Sequence, residues 1–152
     1  MSTLFIDADA CPVTREAISI ARSRGWQVAV VANSTQNLER YASRKGVEAV
    51  TVSGGRDAAD FAIIERLNAG DVVVSQDIGL AAMALGRGAK ALSPRGRVFS
   101  LATIDAEMEV RHAEARERRA GRRHKGPSPF EDEDREHFEV VLERTLREAS
   151  GE

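Results

Sequence analysis

In the stretch FIDADAC at 5 to 11, Asp7 and Asp9 follow an apolar run directly, and the chain's one cysteine, Cys11, stands two residues on. Three more aspartates fall in comparable places. SGGRDAAD carries Asp57 and Asp60 into a helical stretch, and VVVSQD ends at Asp77. Asp57 and Asp60 are three apart, so on a helix they share a face. Carboxylates about 4 Å apart repel by about 1 kcal/mol in bulk water and about 4 kcal/mol at an effective dielectric near 20. A cluster of them therefore needs protons or cations. Oxygen ligands without His or Cys suit hard ions such as Mg²⁺ or Mn²⁺, which keep several waters and bind through a few carboxylates and substrate phosphate. Two such ions about 4 Å apart activate a water and stabilise the leaving oxygen of a phosphodiester. Taken singly, each acid is equally an ordinary turn or N-cap residue, Asp57 and Asp77 above all.

The elements that must bring these acids together can be read from the hydrophobic pattern. Apolar runs predict strands over 3–7, 27–32, 49–52 and 71–75, with a weaker fifth over 90–92. VAVVA and VVVS are continuous rather than alternating, as in parallel strands covered on both faces. Between them lie helical segments, about 12–24, 38–45, 58–67 and 80–85. This alternation predicts βαβ units and an α/β fold with a central, mostly parallel sheet of about four to five strands and helices on both faces. Ligands of such sheets bind beyond the carboxyl ends of the strands, where chain order reverses. If the first and fourth strands are neighbours, all five acids converge there.

After Leu92 the pattern changes to a polar loop, SPRGR, and a long charged helical stretch that GPSPF at 126 to 130 interrupts. Ser128 and Glu131 have capping-box spacing, so a last helix is expected to start there and to bury Phe138, Val141, Leu142 and Leu146. The expected organisation is one domain over 1–152, with a core of about 1–97 and a helical extension of about 98–149.

The net charge is −2, but residues 111 to 125 hold seven Arg or Lys against two Glu, so the remainder carries about −7. Arg116, Arg119, Arg122, Arg123 and Lys125 of this stretch are candidate phosphate contacts, against the alternative of a solvated helix face. It lacks interleaved aromatics, so it offers no stacking platform. Asn33 and Ser34, after the second strand, are candidate supporting ligands or simply turn residues. No apolar run reaches membrane-spanning length, the start carries no secretory signal, and one cysteine permits no internal disulfide. A cytoplasmic protein with no membrane partner is expected. His112, His124 and His137 follow no metal-ligand spacing.

DADACPV at 7 to 13, VVAN at 30 to 33, RDAAD at 56 to 60, VSQDIGLA at 74 to 81, PRG at 94 to 96 and GPSPF with the following EDEDREHF resemble the YaiI/YqxD family of bacterial proteins. That family is grouped with PIN-like domains, whose known relatives are metal-dependent nucleases. The resemblance implies a PIN-like three-layer fold and suggests nuclease chemistry. By the same resemblance Asp7 corresponds to the acid ending the first strand, Asp77 to the acid after the fourth, and Asp60, with Asp57, to the acid of the intervening helix; Asp9 has a less obvious counterpart there and is expected as a supporting or family-specific ligand. The expected activity is hydrolysis of phosphodiester bonds, RNA foremost, by Asp7, Asp60 and Asp77 with a Mg²⁺ or Mn²⁺ ion. The alternatives are a non-catalytic PIN-like module that binds metal or nucleic acid, and a phosphatase of the haloacid-dehalogenase type. The latter expects Thr or Val two residues after its second Asp, where Cys11 stands.

Overall fold

The computed structural model describes residues 2–33, 38–55, 57–122, 126 and 128–151. The elements run β1 (Thr3–Asp7), α1 (Thr14–Ser23), β2 (Gln27–Asn33), α2 (Glu39–Ala42), β3 (Val47–Val52), α3 (Ala58–Arg66), β4 (Val72–Val74), α4 (Ile78–Gly86), β5 (Lys90–Leu92), α5 (Ile104–Arg119) and α6 (Asp132–Ala149). The five strands form one parallel sheet in the order β3-β2-β1-β4-β5. The chain winds outward from β1 to β3, then crosses back to place β4 on the other side of β1. The switch point where ligands of such sheets bind thus lies between β1 and β4.

Burial on both faces explains the continuous apolar runs. Leu4 and Ile6 of β1, Val28 and Val30 of β2, and Val72 and Val74 of β4 face a layer made by α1 and α6. Their neighbours Phe5, Ala29, Val31 and Val73 face α3, α4 and the first residue of α5. Alternate side chains of a strand point to opposite faces, so neither face can be polar here. The result is the three-layer α/β arrangement of a PIN-like fold.

The tail differs from a simple extension. Phe138, Val141, Leu142 and Leu146 of α6 lie in the same core cluster as β1, β2 and β4, and Phe138 is fully buried. This helix therefore completes one of the two covering layers. The sequence misplaced its cap. The capping box is formed by Glu131 and Asp134, each side chain bonding the other's backbone N–H, not by Ser128 and Glu131. Ser128 is occupied elsewhere: its carbonyl and hydroxyl both accept from Arg95 of the PRG loop. The Arg95 guanidinium also pairs with Asp134 at 3.2 Å, and with Arg135 it brackets the Phe130 ring, at 5.6 and 5.3 Å from the ring centre. Arg135 in turn donates to the Pro12 carbonyl at 3.0 Å and pairs with Glu16. These bonds tie the start of α6 to the loop that follows β1. Gly96 lets the PRG loop approach, because a Cβ there would stand 2.6 Å from the His137 ring and 3.1 Å from the Phe138 amide.

Candidate active site at the switch point

Pairing of β1 with β4 puts Ile6 opposite Val74, so the next residues, Asp7 and Ser75, leave the sheet side by side. The buried Ser75 hydroxyl donates to Asp7 Oδ2 at 2.8 Å and accepts from the Asp77 amide at 3.0 Å. Asp77 caps α4, with Oδ1 accepting from the Gly79 and Leu80 amides at 2.8 and 3.3 Å. Both cap bonds fall on Oδ1, so the cap leaves Oδ2 unused. On the neighbouring α3, Asp60 is buried, at 8% exposure, and lies close enough to Asp77 for the two carboxyls to act on each other.

The electrostatics follow from this crowding. Burial first, then the adjacent carboxyl of Asp77 and the charges of Asp77, Asp7 and Asp57, push Asp60 up from the ordinary 3.8 to about 7. Asp7 is also raised, chiefly by burial and further by Asp9 and Asp77, while the Ser75 bond opposes the rise. A buried acid raised in this way by neighbouring carboxylates gives up its proton when positive charge is placed beside it.

Each acid expected to line this edge has a definite place. Asp7, Asp60 and Asp77 come together. Asp9 lies beside Asp7 but also accepts from the Asn33 amide at 3.4 Å, linking the loop after β1 to the end of β2. Asp57 sits exposed at the N-cap of α3, makes no side-chain cap bond, and acts on Asp60 through its charge. Among the described residues, no group of three or more His, Cys, Asp or Glu is arranged so that it could hold a metal ion.

The loop after β1 is itself constrained. Ala10 takes a left-handed backbone, φ 60°, and the Gln76 side chain donates to its carbonyl at 2.9 Å. A non-glycine residue held there costs about 1 kcal/mol, sustained by its surroundings. Burial raises the Cys11 thiol, against the bonds from Thr14 and the Val13 backbone, so Cys11 is not a ready thiolate. Ser75 and Gln76 thus join the two loops across the switch point. A polar residue immediately after a fully buried strand was the available signal.

Arg116, Arg119 and Arg122 are exposed at the far end of α5. Ser34, Arg123 and Lys125 lie outside the described residues. Beside the acids a cavity of about 1180 Å³ opens between α5, the loop after β1 and the PRG loop, and its wall includes Arg95, Arg97 and Arg111. Arg95 stands in the PRG motif and Arg111 opens the basic stretch, but only tertiary position brings the two together with Arg97 at this cavity. Arg97 pairs with Glu107.

Similarity to known proteins agrees with the motifs on which the site is built. The profile described as "Uncharacterized BCR, YaiI/YqxD family" matches residues 5–148. The chain belongs to the YaiI/YqxD family. It is 44% identical over 153 residues to a UPF0178 protein of Xanthomonas campestris pv. campestris, covering 99% of this chain and 94% of the relative. To a UPF0178 protein of Exiguobacterium sibiricum it is 41% identical over 145 residues, covering 95% and 96%. A UPF0178 protein of Caulobacter vibrioides is 40% identical over 149 residues, covering 98% and 95%. No solved structure matches this YaiI/YqxD chain. Among its described residues no helix is long and apolar enough to cross a membrane.

Proposed function

We propose that this YaiI/YqxD protein is a divalent-cation-dependent nuclease that hydrolyses phosphodiester bonds in the cytoplasm, with RNA the preferred substrate by its resemblance to PIN-like relatives. The observation that carries the reading is the convergence of acids at the switch point, where Ser75 bridges Asp7 and the Asp77 amide and the buried Asp60 stands among Asp77, Asp7 and Asp57. An all-oxygen set of this kind fits Mg²⁺ or Mn²⁺ and would be shared by Asp7, Asp60 and Asp77, with Asp9 and Asp57 at its margin. A bound ion would supply an activated water and stabilise the leaving oxygen.

The chain's own residues have separable tasks. Ser75 fixes the Asp7 carboxylate through Oδ2 and, by accepting from the Asp77 amide, keeps the two acids in register. The Asp77 cap fixes that carboxylate on a rigid helix end rather than a loose loop. Asp60, poised near pH 7, gives up its proton when positive charge arrives. Asn33 and Ser34 would orient water or phosphate beyond Asp9. The exposed Arg116, Arg119 and Arg122, with Arg123 and Lys125, would attract the nucleic-acid backbone by phosphate neutralisation.

A second reading, a non-catalytic module that binds metal or nucleic acid, is favoured in its nucleic-acid form by one observation: among the described residues no group of three or more His, Cys, Asp or Glu is arranged to hold a metal ion. Incubating the protein with end-labelled single-stranded RNA and DNA in Mn²⁺, Mg²⁺ and EDTA, beside Asp77→Asn, separates the two. Asn caps a helix as well as Asp, so the variant keeps the α4 terminus. Cleavage that needs the ion and vanishes in Asp77→Asn supports the nuclease. Cleavage by the wild type no greater than the Asp77→Asn background, with nucleic acid still bound, leaves the binding module.

A further inference from the structure

The acids occupy one side of two loops, and a large groove occupies the other. Ala8 and Ala10 alternate with Asp7 and Asp9, Gln76 and Ile78 bracket Asp77, and all four of these neighbours line the cavity of about 1180 Å³. A substrate phosphate held at the acids would therefore have its adjoining residues within reach of this groove. The volume exceeds the roughly 300 to 1,000 Å³ of pockets that enclose one small ligand, so the groove suits a ligand of more than one unit.

Its outer wall is α5, of which Ile104 alone is buried among the described residues. Thr103, Ala106, Glu107, Val110, Arg111 and Glu114 face the cavity at helical spacing. Val110 is an apolar side chain left 58% exposed in that wall. The charge along the same face runs positive outward. Glu107 pairs with Arg97, Arg111 lines the groove, and Arg118 follows two helical turns later on the same side, with Glu114 between them. Arg87, exposed at the C-cap of α4, takes no part in lining the groove.

We propose that this groove is the bed for a short single strand of nucleic acid, longer than one nucleotide, which lays its bases against Ala106 and Val110 and its phosphates toward Arg111 and Arg118. The inference rests on the nuclease reading for the identity of the anionic ligand at the acids. A single strand is specified because bases must be unpaired to reach an apolar wall, and an apolar wall accepts any base.

The test is fluorescence anisotropy in Mg²⁺ with a labelled single-stranded RNA tetranucleotide whose phosphorothioate linkages resist hydrolysis, and with the same sequence as a duplex. Ala106 is exposed, so Ala106→Trp fills the groove without entering the core. Ala106→Trp and Arg111→Glu should each weaken single-strand binding tenfold or more, whereas Arg87→Glu should weaken it less than threefold. Melting curves establish that each variant is folded, and Arg111→Glu carries the test alone if the tryptophan variant is not. Unchanged binding by Ala106→Trp, equal losses for Arg111→Glu and Arg87→Glu, tighter binding of the duplex, or no tetranucleotide binding by the wild type would each overturn the proposal. Cleavage unaffected by Ala106→Trp would remove the groove and leave the nuclease standing. Groove-dependent binding in a protein that never cleaves would do the reverse.

Discussion

Replacing Asp60 with Asn removes the one carboxyl held near neutrality, and its effect on stability can be worked out with its sign. The folded state holds a proton on Asp60 up to about pH 7, whereas the unfolded chain releases it near 3.8. Between those values the folded protein binds more protons than the unfolded one, so unfolding free energy falls as pH rises. Below 3.8 both states are protonated and Asp60 imposes no penalty; above about 7 the penalty is complete. At about 1.4 kcal/mol per pH unit the displacement corresponds to about 4 kcal/mol, and solvent relaxation around a site at the sheet edge reduces this to about 2 to 4 kcal/mol. Asp60→Asn cannot ionise. It should match the wild type only below about pH 4, gain steadily above that, and exceed it at pH 8 by about 2 to 4 kcal/mol, or roughly 4 to 12 °C in Tm. Urea titrations in EDTA at half-unit steps from pH 3.5 to 8.5 measure this directly. Parallel pH profiles for the two proteins would mean that Asp60 is ionised throughout. That result would also remove the main support for a cation site, because an ion takes the place of the Asp60 proton.

Two further perturbations probe the supports of the site. Ser75→Ala deletes the hydroxyl that donates to Asp7 and accepts from the Asp77 amide; it should destabilise the protein by about 1 to 3 kcal/mol and raise the Asp7 titration further, read by carboxyl carbon NMR, and an unmoved Asp7 midpoint would show that the bond does not hold that carboxylate. Gly96→Ala forces a methyl against the His137 ring and the Phe138 amide at a backbone φ of +87°, so urea unfolding should show a loss of roughly 2 to 4 kcal/mol, and a loss under about 0.5 kcal/mol would mean that the PRG loop does not pack on α6 as described.

The sequence exposed some parts of the fold more clearly than others. The strands and their parallel arrangement were legible because VAVVA and VVVS can be buried only on both faces, and the positions of Asp7 and Asp77 followed from where those runs stop. Asp71 shows the opposite case. It is buried and adjoins β4, yet its carboxylate accepts from the Thr3 and Asn68 amides at 3.0 and 2.8 Å at the far edge of the sheet, a structural role that spacing alone does not separate from Asp77's. The α6 cap was misread because Arg95, more than thirty residues away in sequence, takes both Ser128 oxygens. A local capping rule has no access to such a competitor.

What the sequence by itself determined is local: which runs extend, which coil, and that acids stand at strand ends, since hydrophobic period and turn chemistry act over a few residues. Tertiary structure alone decided that β4 lies beside β1, that Asp60 reaches Asp77, that α6 is a covering layer, and which flank of α5 faces the groove. Each of these depends on segments tens of residues apart meeting in space, and the crowding that raises Asp60 exists only after they have met.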